Sequence, residues 1–224
     1  METKQVNVMG RTLQITEQTT FADVAKQCAD TVKGPVLLAR QKNKLRELSK
    51  PIHTTDDITL YGMEHEDAMR VYRRGVLFLM VKAVHDVLGE DALVVVEHSL
   101  EKNIYCEIRR PEITVTEDLL SRLEQKMREY VANDLPIHKR TLPKDKAREI
   151  AAKQGMQDKA ELFRYRRASN VNMYEMDGFY DYFYGYMPPS AGCLQMFALM
   201  QYENGFLVRF PDRKNPEVLR SFSN

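Results

Sequence analysis

Five histidines (His53, His65, His85, His98 and His138) are the obvious candidates for metal or acid–base chemistry, but none falls at a ligand-like spacing. Each therefore reads as a surface or hydrogen-bonded residue. Cys28, Cys106 and Cys193 lie far apart with no C-x-x-C pair, which suits neither a disulfide framework nor a thiolate zinc site. No G-x-S-x-G, H-E-x-x-H or G-x-x-x-x-G-K-[ST] occurs, so the usual nucleophile, zinc and phosphate-loop chemistries are unmarked. Charge and aromatic clustering remain. Residues 136–167 carry ten Lys and Arg against four Asp and Glu. Lys139, Arg140, Arg164, Arg166 and Arg167 are the candidates there for tracking an RNA backbone; a solvated helical face is the competing reading. The aromatic run Phe179, Tyr180, Tyr182, Phe183, Tyr184 and Tyr186 could stack a base or nucleoside. Tyr184 and Tyr186, in a loop, are the better placed, since alternating strand aromatics usually serve a core.

The elements that must position these residues are organised around one stretch, Asp67–Leu88 (DAMRVYRRGVLFLMVKAVHDVL). From Gly75 to Val84 it is apolar on almost every side, broken only by Lys82. Such a helix is buried in a core or a membrane, and this run is shorter than the roughly 20 residues a bilayer requires. The 224 residues are 43% apolar, enough for a substantial core. Lys+Arg 33 against Asp+Glu 32 gives a net charge of +1, which names no partner. The N-terminus METKQVNVMG lacks an apolar signal-peptide region, and with the cysteine usage this leads us to expect a cytoplasmic protein without membrane segments.

Taken in order, residues 4–15 alternate about Met9-Gly10 as a hairpin, and Thr20 caps a short helix with Phe21, Val24 and Ala25 on one face. Strands follow at 35–40, shortly before Pro51 and at 57–62. The order β-β-α-β-β-β is a β-grasp pattern, a small mixed sheet curled over one helix. After the central helix come a hairpin (92–100 and 104–109), an amphipathic helix over about 116–133 and an extended link, Pro136–Leu142. A helix then opens at Pro143 and ends at Gly155, and a short one over about 157–166 directs Leu162 and Phe163 inward. Asp177-Gly178 and Asn204-Gly205 each read as a hairpin turn, separated by the loop YGYMPPSAG at 184–192. The expected fold class is α+β: a β-grasp unit (1–62), an α+β region with a long buried helix and antiparallel hairpins (63–211), and a tail (212–224) leading to a missing C-terminal domain.

The β-grasp order running into a helix with Tyr72-Arg73 resembles a TGS domain leading into the editing domain of threonyl-tRNA synthetases; a generic ubiquitin-like module is the plainer alternative. Over roughly 64–211 the chain resembles the second additional domain shared by threonyl- and alanyl-tRNA synthetases. In its editing-competent members the central helix carries Tyr-Arg-His-Ser-x-x-His, and a later loop carries Asp-x-Cys-x-Gly-Pro-His followed by a Pro-Ser-x-Gly stretch. Here Asp181, Gly185, Pro189, Ser190 and Gly192 match. The two helix histidine positions hold Arg74 and Phe78, the cysteine position Phe183 and the last histidine position Met187. These four side chains suit neither a zinc ion nor water activation. The resemblance thus implies a frame without its hydrolytic chemistry and no metal, with Arg74, Asp181, Tyr184, Tyr186 and Ser190 left as a candidate ligand cleft.

The stretch FYDYFYGYMPPSAGCLQMFALMQYENGFLVRFP is also similar to the N-terminal region of certain bacterial uridine (nucleoside) kinases, in which a TGS domain and a degenerate editing-like domain precede a P-loop kinase domain. That resemblance implies a phosphotransferase as the parent protein, with a kinase domain in cis beyond Asn224 where ATP and magnesium would bind. This chain would need no cofactor of its own. It would be a non-catalytic regulatory region that senses or positions a nucleoside or RNA ligand. The alternatives are a tRNA- or RNA-binding module related to threonyl-tRNA synthetase and a residual aminoacyl-tRNA deacylase.

Overall fold

The computed structural model describes residues 3–110 and 112–219. Two hydrophobic cores organise them. The first begins with the hairpin β1 (Lys4–Val8) and β2 (Arg11–Ile15), closed by Met9 and Gly10 at positive φ. Helix α1 (Phe21–Gln27) starts on a reciprocal cap in which Asp23 N–H donates to the Thr20 hydroxyl and Thr20 N–H to the Asp23 carboxylate. β3 (Leu38–Gln41), β4 (Lys44–Arg46) and β5 (Ile58–Tyr61) complete a sheet of order β2-β1-β5-β3-β4 in which β1 and β5 run parallel. Phe21, Val24 and Ala25 pack onto Val6, Val8, Ile58 and Leu60, which is the expected β-grasp arrangement.

The second core is built on α2 (Glu66–Leu88). Its N-terminus is capped by His65, whose Nδ1 accepts from Asp67 N–H while its ring stacks 4.0 Å from Tyr61. From Gly75 to Val84 only Val81 is not fully buried, and even Lys82 is 3% exposed. β6 (Leu93–Leu100) and β7 (Asn103–Arg109) form a hairpin extended by β11 (Ala198–Tyr202) and β12 (Gly205–Arg209) in the order β11-β12-β7-β6. α3 (Glu117–Ala132) buries Leu119, Leu120, Leu123, Met127 and Tyr130 beside α2. β8 (His138–Pro143), β9 (Asn170–Met176) and β10 (Phe179–Asp181) form a third sheet, with α4 (Lys144–Lys153) and α5 (Gln157–Tyr165) between β8 and β9. α4 ends in a Schellman motif: Gly155 at φ 73° donates to Ala152, and Met156 N–H reaches back to Ala151.

The α+β class, the long buried helix and the antiparallel hairpins are as the sequence leads one to expect; four local readings change. The link at 136–142 is largely strand β8, paired with β9 from His138↔Glu175 to Pro143↔Asn170. Leu162 is exposed, because α5 is anchored through Ala160 and Phe163 alone. The strand after Asp177-Gly178 stops at Asp181, short of the full FYDYF run. The last hairpin turns at Glu203-Asn204, since Tyr202 pairs with Gly205. Gly205 lies within the strand, where a Cβ would come 2.3 Å from the Cys106 carbonyl oxygen. Of the tail, Pro211 and Leu219 form a bridge, and residues 220–224 lie outside the described residues, as do Met1 and Glu2 of the β-grasp unit.

Candidate functional site

Arg74 and Phe78 sit one turn apart on α2, facing the loop that follows β10. Phe78 is fully buried, with its ring centroid 5.5 Å from Phe183 edge-on and 6.0 Å from Phe179. Arg74 Nη1 donates to the Tyr186 carbonyl at 2.5 Å. Gly185, at φ 119°, lies so close that a Cβ would be 2.7 Å from the guanidinium carbon. Met187, two residues after Gly185, is buried at 3% exposure. Arg74 and Phe78 therefore meet the 183–186 stretch through apolar packing and one cation. Among the described residues, no group of three or more His, Cys, Asp and Glu comes together that could hold a metal.

The five candidate cleft residues do not share a cleft. Arg74 and Tyr186 touch as described, and the Tyr186 hydroxyl reaches the Leu45 carbonyl at 3.2 Å. Asp181 is 1% exposed and turned toward α5, where it accepts from the Lys159 ammonium and from Tyr182 N–H. Burial pushes its carboxyl up from the ordinary range, against the pull of Lys159. Tyr184 stands 91% exposed in solvent, and Ser190 pairs through its backbone with Pro136. The reason is topological: the residues alternate about a short strand and a turning loop, so they point in different directions.

Sequence reasoning missed Glu47, a carboxylate in the turn after β4 that is only 2% exposed. Its Oε1 accepts from the Tyr174 hydroxyl and, at 3.2 Å, from Met187 N–H, while Oε2 accepts from Lys139 Nζ at 3.2 Å. The Tyr174 oxygen also lies 2.8 Å from the Gly185 carbonyl. Burial, followed by the bond to Glu47, pushes the Tyr174 phenol well above its ordinary range. This network ties the β-grasp unit to β8, β9 and the 184–192 loop. Nothing in the run RELSK marks it, because a Glu in a polar turn normally faces water.

The RNA candidates fall at two places. Lys139 and Arg140 lie on β8, paired with Glu47 and Glu175. Arg164, Arg166 and Arg167 cluster at and beyond the end of α5, where Arg164 faces Glu161 at 3.6 Å and Arg166 donates to the Tyr182 hydroxyl at 2.7 Å. Lys144, the first residue of α4, reaches the Arg166 carbonyl at 3.4 Å and so connects the two groups. The stretch of β8 from Lys139 to Pro143 covers about 13 Å at 3.3 Å per strand residue. Of these ion pairs only Arg164–Glu161 is solvent-exposed on both sides, and phosphates can compete with it.

No family model matches the chain. Curated relatives do. The threonine–tRNA ligase of Syntrophotalea carbinolica is 25% identical over 229 residues, covering 96% of this chain and 35% of that protein. Those of Thermotoga maritima and Carboxydothermus hydrogenoformans are 26% and 27% identical over 180 and 185 residues, covering 80% and 82% of this chain. The chain thus spans about a third of the length of the relatives it matches. These matches bear on the tRNA-synthetase side of the resemblance; the nucleoside-kinase side rests on the 179–211 motif alone.

Proposed function

We propose that this chain is a non-hydrolytic tRNA- or RNA-binding module of the threonine–tRNA ligase type. The observation that carries the reading is the pairing of near-complete alignment to tRNA ligases with a filled site. The frame spans 80–96% of the chain, while Phe78, Phe183 and Met187 occupy in packed form the positions where the resemblance would place water-activating ligands. The basic stripe from Lys139 to Arg167 supplies the backbone-tracking charge. Binding of unfractionated tRNA to the 224-residue chain, followed across a salt series, tests this. Saturable binding that weakens steeply with salt is expected, together with a several-fold loss on reversing Arg164, Arg166 and Arg167 to Glu. Mischarged tRNA should be bound and left intact; robust deacylation lost on Asp181→Ala would overturn the non-hydrolytic part. Salt-insensitive or absent tRNA binding would overturn the whole reading and leave regulation of a linked kinase domain as the function the motif at 179–211 suggests.

A further inference from the structure

A second concavity lies beside the filled site, where the β-grasp sheet meets β8, with a volume of about 310 Å³. Lys42, Arg46, Lys50, His53 and Lys139 line it, with Tyr186 forming one wall. The lone carboxylate in the lining, Glu47, is already occupied by the Tyr174 hydroxyl, Met187 N–H and Lys139. Lys42 pairs with Asp56 at 3.2 Å through half-exposed side chains. Arg46 and Lys50 make no ion pair among the described residues and flank the same turn. That turn is held rigidly: Lys50 N–H donates to Glu47, Ala22 N–H to Leu48 and Phe21 N–H to the Lys50 carbonyl.

We infer that this pocket binds a phosphate monoester of nucleotide type. Cations from two chain segments, 42–53 and Lys139, surround a hollow whose one carboxylate is already satisfied, an arrangement that matches a dianion, and the Arg46 fork suits phosphate oxygens. The Tyr186 ring, fixed by its hydroxyl on the Leu45 carbonyl, with Leu45 and Pro51 beside it, gives a flat and apolar surface for a base. The volume, at the lower end of the roughly 300–1,000 Å³ of ligand pockets, holds one nucleotide and excludes a duplex. That nucleotide is either free or the phosphorylated terminus of a single-stranded RNA. For the second source the inference rests on the RNA reading above.

The experiment is calorimetry on the 224-residue chain with AMP, adenosine, and a short single-stranded RNA with and without a 5′-phosphate. AMP or the phosphorylated RNA should bind saturably, with the unphosphorylated counterpart much weaker. Arg46→Ala/Lys50→Ala should weaken binding about tenfold or more at an unchanged thermal midpoint. Binding of AMP identifies a free nucleotide, and binding of phosphorylated RNA alone identifies a terminus; either supports the pocket. Binding of neither phosphorylated probe, or binding indifferent to the double substitution, overturns it. Loss of the tRNA reading with AMP binding intact removes only the RNA source. Retained tRNA binding with no response to Arg46→Ala/Lys50→Ala removes only the pocket.

Discussion

Phe78 shows what a single residue can reveal from sequence and what it cannot. Its place on an all-round apolar helix marks it as core, and its alignment to a histidine position marks the loss of chemistry. Its partners, Phe179 of β10 and Phe183 of the loop after it, come about a hundred residues later, and no local pattern joins them to α2. Phe78→Ala should cost about 3–5 kcal/mol by chemical denaturation. Phe78→His should also destabilise, because its imidazole would lack a buried partner; unchanged midpoints for both would place the ring at an open surface. Asp86 makes the complementary case. Burial alone would raise its carboxyl, but hydrogen bonds from Tyr130 at 2.6 Å, Lys82 at 2.9 Å and His85 at 3.1 Å outweigh it and hold the carboxyl below its ordinary range. A depressed folded pKa stabilises above the unfolded carboxylate value of about 4, and that stabilisation is lost as pH falls through the folded value. Asp86→Asn should therefore be less stable than the parent at pH 7 and flatter in its response to acid below about pH 4, read from urea midpoints across pH. Lys82 was visible in the sequence only as an interruption of an apolar run; the carboxylate that pairs with it, Asp86, lies one turn along α2, and the ring beneath its ammonium is Tyr130 of α3.

At the scale of elements, caps and tight turns were the most readable features, since their signals are local. Thr20, Thr116 and Gly155 sit where the sequence places them, as do the turns at Met9-Gly10 and Asp177-Gly178. Strand β8 was hard to read because HKRTLP has no apolar alternation; its place comes from pairing with β9, and its face is mostly polar. Gly205 misled for a similar reason, being required by the approach of β7 and not by a turn. Gly75 offers a test at this scale. Replacing a mid-helix glycine by alanine normally gains about 1 kcal/mol of helix propensity. On α2, however, a Cβ would come 2.7 Å from Pro188 Cγ and 2.8 Å from Leu194 Cδ1. Pro188 is a ring and Leu194 is fully buried, so neither yields easily. Gly75→Ala should lower the thermal midpoint, and a rise would mean that the 184–194 segment is loosely seated.

For the whole molecule, the α+β class and the β-grasp order could be read from the succession of elements, whereas the meeting of the two cores at Glu47 could not. A polar turn, two aromatic hydroxyls and a loop amide become one network only after folding. The pairing of β7 with β12, Cys106 against Phe206, carries a consequence for how the chain is made. β7 emerges from the ribosome about a hundred residues before the strand that covers its inner edge, which at roughly 5–20 residues per second is an interval of about 5–20 s. For that time the β6–β7 hairpin presents an apolar edge with unpaired amides, the kind of template on which chains join one another. A fragment ending in the 184–192 loop should keep this edge open permanently and sediment as aggregate, whereas one extending through Arg209 should remain monodisperse. Vectorial synthesis would then place the greatest demand on chaperones midway along the chain, well before its last strand is made.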